Sequence, residues 1–186
     1  MLSLKSFLHE KERGFVVSGQ SSGELCVHEP LLGKDNNWTL QLLYRTHLCS
    51  AGVNDVKVLP SSQILIFFGS DSQARGVLAL KQAENNSTLE KVSEKEGIVQ
   101  LRSHFSAIKG VEVVHCGNKE FETFSCGYDQ RLRKERMRIH EQISVLGTSV
   151  QKVCCPDVAG TEMLECSANG ERYVIVYGWG LEFVRV

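Results

Sequence analysis

Four times along the chain, a short apolar run ends on a glycine, passes a turn of small or polar residues, and is followed by another strand-like run. The glycines are Gly19, Gly69, Gly127 and Gly178, spaced by 50, 58 and 51 residues. The clearest copy is Phe121–Ile139, in which Phe-Glu-Thr-Phe-Ser-Cys leads into Gly127, a Tyr128-Asp129-Gln130 turn, and a second run from Arg131. Such runs around a Gly/Asp turn are β-hairpins. Each period has room for about four short strands. A period of roughly forty to fifty residues with four strands predicts the blades of a β-propeller. A single blade is apolar on both faces and gains stability only between neighbours.

The remaining segments fit that rhythm. Phe15–Gly19 and Glu24–Glu29 are the arms of the first hairpin, and Trp38–Tyr44 is an outer strand. Ile64–Phe68 is continuously apolar, as a strand covered on both faces must be. The fold class is therefore all-β, with about four blades in approximate spans 1–46, 47–103, 104–148 and 149–186. A polar stretch at 83–97 reads as a surface insertion. It is the only helix candidate, and it lacks an apolar stripe.

Composition bounds the partners. A net charge of −1 supplies no global field toward nucleic acid or membrane, so any phosphate contact needs a local patch. Seven cysteines at irregular spacing, without a Cys-x-x-Cys, argue for a reducing compartment and against a disulfide framework or zinc site. Charge interrupts the N-terminal segment before a signal-peptide core forms, and no apolar run reaches membrane-spanning length. The expected location is cytoplasmic, with no membrane partner. The sequons at Asn37, Asn85 and Asn86 then read as chance matches in polar loops.

The pattern resembles the WD-repeat (WD40) family: a histidine near the blade start, a strand ending in Ser-Gly or Cys-Gly, an Asp turn, and a strand that ends in Trp-Asp. His47 precedes Gly69 by 22 residues and His104 precedes Gly127 by 23. The resemblance gives His47, His104, Asp71 and Asp129 structural hydrogen-bonding roles. Departures are visible. In the first copy His28 stands at the Trp position and Ser22 at the Asp position. The second copy has no aromatic near Ala79, and Glu135 holds the Trp position in the third. No copy carries the full Asp–His–Ser/Thr–Trp tetrad.

A narrower resemblance covers roughly the last third of the chain. Asp129-Gln130-Arg131-Leu132-Arg133 after His104–Val111, with Pro156–Met163 and the terminal Val176–Val186, is similar to the WD-repeat accessory subunit of the tRNA wobble-ribose methyltransferase. That family is non-catalytic and positions tRNA for a separate S-adenosylmethionine-dependent enzyme. The resemblance implies that enzyme and tRNA as partners, and no cofactor of the chain's own. The family's proteins are longer than this chain, which implies a C-terminal fragment or truncated product with an incomplete ring. The alternative is a generic WD-repeat module that binds proteins in another complex.

Arg131, Arg133, Lys134, Arg136 and Arg138 form the one basic run, with Lys109 and Lys119 nearby. It reads either as a phosphate-contacting patch or as a charged strand that discourages edge-to-edge pairing. Arg131 and Arg133 share a strand face. Adjacent Cys154 and Cys155 point to opposite faces and cannot easily serve one metal. Trp179, between Gly178 and Gly180, is either an interface anchor or the last hairpin turn. No nucleophile elbow, phosphate-binding glycine loop or paired carboxylates stand out. The chain is expected to have no catalytic, cofactor or metal residues.

Overall fold

The computed structural model describes residues 2–9, 13–60, 63–83, 88–92, 98–101, 104–139 and 143–186. Its regular elements are all β-strands, arranged in four antiparallel sheets. The first contains β1 (Ser3–His9), β2 (Arg13–Gly19), β3 (Glu24–Leu32) and β4 (Trp38–His47), adjacent in that order. The second contains β5 (Val53–Pro60), β6 (Ile64–Ser70) and β7 (Arg75–Gln82). Its outer edge is shared by β8 (Leu89–Lys91) and β9 (Ile98–Gln100), which both pair with β7. The third contains β10 (Ile108–Gly117), β11 (Glu120–Gly127), β12 (Arg131–Ile139) and β13 (Ile143–Lys152). The fourth contains only β14 (Gly160–Glu165), β15 (Arg172–Tyr177) and β16 (Leu181–Arg185).

Part of the polar stretch 83–97 thus belongs to a sheet. Residues 84–87 and 93–97 lie outside the described residues. Between them β8 pairs with Leu80–Gln82, and Leu89 is buried against the core. One apolar side chain suffices to seat a three-residue edge strand whose other residues are polar.

The sheets stack in chain order through their first strands: β1 on β5, β5 on β10, β10 on β14. Three apolar seams result. The first joins Phe15, Val17, Leu25 and Val27 to Ile64, Ile66 and Phe68. The second joins Leu65, Phe67, Val77 and Ala79 to Ile108, Val111, Phe121 and Met137. The third joins Phe124, Cys126 and Leu132 to Val174, Val176 and Val184. β6 sends alternate side chains into two seams, and all seven of its residues are buried. This is the two-faced burial expected from its unbroken apolar run.

Two of the repeated glycines, Gly19 and Gly69, matter for a different reason than turn geometry. Among the described residues the positive-φ glycines are Gly23, Gly117 and Gly170, not the aligned ones. At Gly19 a Cβ would fall 2.7 Å from Val53, and at Gly69 2.5 Å from Ile108. The missing side chain lets the first strand of the next sheet lie directly against the second strand of the one before.

No comparable packing joins the fourth sheet back to the first among the described residues. The sheets form a stack of blade-like units that does not close into a ring among the described residues.

Candidate functional site

The third sheet carries a chain of buried polar groups. His104 lies just before β10, Ser125 near the end of β11, and Asp129 in the β11–β12 turn. The Nδ1–H of His104 donates to the two Asp129 oxygens at 2.9 and 3.1 Å. Because a carboxylate can only accept, the proton sits on Nδ1 and Nε2 is left as an acceptor. The Ser125 hydroxyl donates to Nε2 at 2.8 Å. Burial pushes the imidazole pKa down, more than Asp129 pulls it up, so the ring is neutral. Burial works to raise Asp129. Bonds from His104 and from the Phe105 and Arg131 amides outweigh it and hold the carboxyl below its ordinary value.

The network crosses into the second sheet. Arg75, the first residue of β7, donates from Nη1 to Ser125 Oγ at 2.8 Å. Its Nη2 pairs with the Glu135 carboxylate on β12. Both side chains are nearly sealed from solvent, at 2% and 1% exposure. Burial lowers the Arg75 pKa, with Glu135 opposing. Glu135 stands where the WD-repeat pattern has Trp. Here the fourth member of the network is an ion pair that reaches across a sheet boundary.

The Ser125–His104–Asp129 arrangement has the connectivity of a nucleophilic triad. Its setting differs. Ser125 is fully buried, and its oxygen already accepts from Arg75. A substrate carbonyl would need to come within about 3 Å of that oxygen, and core atoms occupy the approach.

The relay holds an exposed rim. The Phe105 amide donates to Asp129 Oδ2 at 3.0 Å, fixing the start of that loop. The Phe105 ring is 71% exposed. Arg131 and Arg133 lie over it, 5.0 and 5.9 Å from the ring centre. Tyr128 is also exposed and has Lys109 4.9 Å above its ring. A cleft of about 470 Å³ opens beside the rim, lined by Asp129, Arg131, Val150, Gln151 and Lys152.

β12 splits the basic run. Arg131, Arg133 and Glu135 face the second sheet; Lys134, Arg136 and Arg138 face the other way. Arg131 is exposed, whereas Arg133 is buried. Lys134 pairs with Glu122 at 2.9 Å, and Arg136 and Arg138 both pair with Glu120, at 2.7 and 2.5 Å. The five cations therefore form no single patch, and Arg131 is the one displayed on the rim.

Of the two blade-start histidines and two turn aspartates expected to take structural hydrogen-bonding roles, His104 and Asp129 meet. His47 and Asp71 do not. His47 ends β4 opposite Glu24, within the first sheet's own ladder. Asp71 accepts from Asn54 and Lys109. Cys154 is exposed and Cys155 buried; both amides donate to Glu182 Oε2. Trp179 is 83% exposed in the β15–β16 turn. Among the described residues no cluster of His, Cys, Asp or Glu is arranged to hold a metal. No described helix is long and apolar enough to cross a membrane.

Several residues had escaped the sequence reading. Arg75 had a signal, a charge opening an otherwise apolar strand. Ser125 had one too, the Ser/Thr place in the Asp–His–Ser/Thr–Trp pattern, whereas Phe105 had none. A second polar cluster lies on the first strands of three sheets. Lys57 Nζ is 2.8 Å from Glu112 and 3.7 Å from Glu162, and Asp55 accepts the Val111 amide at 2.8 Å. Burial raises Asp55, and raises Glu112 to about 7.

No protein-family model and no curated protein sequence matches the chain.

Proposed function

We propose that this chain is a non-catalytic WD-repeat-type scaffold whose binding surface is the rim formed by Phe105, Tyr128, Lys109 and Arg131. One observation carries the reading. The groups with triad connectivity are buried, while the loop they brace presents two exposed aromatic rings with cations stacked on them. Flat rings beside guanidinium and ammonium groups suit unpaired bases on a phosphate backbone. This reading agrees with the resemblance of the third blade and the C-terminal stretch to the accessory subunit of the tRNA wobble-ribose methyltransferase. In it, the rim holds the anticodon arm for a separate S-adenosylmethionine-dependent enzyme.

The test compares cations that the structure treats differently. Phe105→Ala and Arg131→Ala should each weaken binding of a tRNA anticodon stem-loop about tenfold, from a stacking contribution of ~1–3 kcal/mol per base. Arg136→Ala and Arg138→Ala should change it little, because Glu120 already engages both cations. Co-purification should recover a methyltransferase and tRNA. Equal losses from all four variants, or normal wobble-ribose methylation in cells lacking the protein, would overturn the reading. A protein-binding module of another complex is the second reading. The exposure of Trp179 and the near-zero net charge favour it.

A further inference from the structure

We infer that a second copy of this chain docks head to tail, the free face of its fourth sheet lying on the free face of the first sheet. Both end faces are built like interior ones. On the first sheet, Phe15, Val17, Leu25 and Val27 point into the first seam. The opposite face presents Leu4, Leu8, Leu32, Trp38, Leu40 and Leu42, each 48–69% exposed. Register places them together: Leu4 and Leu8 lie opposite Ser18 and Gly14, Leu42 opposite His28, Leu40 opposite Pro30, and Trp38 opposite Leu32.

The fourth sheet mirrors this. Val174, Val176 and Val184 are buried in the third seam. Ile175, paired with Phe183, and Tyr177, paired with Leu181, face the other way. Phe183, Leu181, Leu164 and Tyr177 are 40–69% exposed.

The occupant follows from continuity with the three seams already formed. In each seam, one face of a sheet meets the opposite face of the next sheet in chain order. The fourth sheet's free face corresponds to the one that the first sheet buries against the second. The first sheet's free face corresponds to the one that the fourth buries against the third. The tail of one copy therefore offers what the head of another lacks. Neither the first nor the fourth sheet presents the polar outer face that caps a stack of sheets: charges on them are confined to Arg45 with Glu24 on one and to Glu162 and Arg185 on the other. Each face exposes apolar area on the order of 500 Å² or more, at the upper end for a monomer's largest patch, and two together approach a standard interface. The contact is heterologous, since two different faces meet.

The experiment uses two charge variants, Leu40→Lys on the head face and Phe183→Lys on the tail face. Both side chains are already exposed, so folding should survive, and circular dichroism checks this. Light scattering after size exclusion should give more than the 20.8 kDa of one chain for the wild type. Each variant alone should run as a single chain. Mixing the two variants leaves one intact head-to-tail contact per pair and should restore a two-chain species. The pair Leu42→Lys and Leu181→Lys should behave the same way. A monomeric wild type overturns the inference and assigns the faces to other occupants. Variants that still associate alone, or a mixture that stays monomeric, also overturn it. No nucleic acid enters this assay, so its outcome is independent of the rim's function.

Discussion

Replacing Glu135 with Leu should cost more stability than almost any other change on the third sheet. The substitution keeps roughly the same volume but removes the Glu135 carboxylate from the buried Arg75 guanidinium, 2% exposed. Removing one partner of a buried ion pair costs about 3–5 kcal/mol, because the desolvation of the remaining charge is no longer offset by that partner. That is a large part of the ~5–15 kcal/mol that holds a domain together. For a chain of this size each kcal/mol shifts Tm by about 2–4 °C, so a fall of roughly 6–20 °C is expected. Arg75→Met should cost a similar amount by stranding Glu135. Combining the two removes both charges, and replacement of such a pair by apolar groups is often neutral or stabilising. Ser125 then loses one donor, worth about 1 kcal/mol. The double variant should therefore lie close to wild type, far from the sum of the singles. Urea unfolding followed by circular dichroism measures this; Trp38 and Trp179 are too exposed to report on the core. All variants should share one protein concentration, since association shifts apparent stability. Single losses below about 1 kcal/mol, or a double variant as damaged as the sum, would refute the view that this pair clamps the second and third sheets as a unit.

Two further predictions use the buried titratable groups. Glu112 is raised to about 7 by burial, so between its unfolded value of 4.5 and 7 the folded state holds the extra proton. Stability from this group therefore increases as pH falls from about 7 toward 4.5, by on the order of 3 kcal/mol. Glu112→Gln should flatten that part of the pH–stability curve, and an unchanged slope would show that the cluster with Lys57 does not titrate there. Among the cysteines, Cys116 and Cys154 are exposed while Cys126 is buried with its thiol pushed up to about 12. Under native conditions iodoacetamide should modify the first two quickly and Cys126 only after unfolding; rapid labelling of Cys126 would contradict the closed third seam.

Much of the architecture was legible in local pattern. Alternating runs, turn residues and the regular return of Gly19, Gly69, Gly127 and Gly178 specify strands of limited length, joined as hairpins. The unbroken run Ile64–Phe68 announces burial on two faces, which needs a packing layer on each side of its sheet. These features are readable because strand periodicity and turn chemistry are properties of neighbouring residues. The WD-repeat resemblance implied hydrogen-bonding roles for His104 and Asp129, which meet at one end of the third sheet, and the same for His47 and Asp71, which do not meet.

What the tertiary structure decided is how distant residues share a solvent-free space. Arg75 and Glu135 are 60 positions apart, and nothing local marks them as partners. They meet because the second and third sheets stack, and a buried charge must find its opposite. The basic run shows the converse. Five cations in eight residues look like one surface, yet strand alternation sends them to two faces, and Glu120 and Glu122 engage three of them. Packing also separates His47 from His104, giving one to a ladder and the other to the core. The sequence by itself determined the strands, their hairpins and the need for stacking. Only the packed sheets decided which charges are paired, which rings face water, and which apolar faces at the two ends remain uncovered.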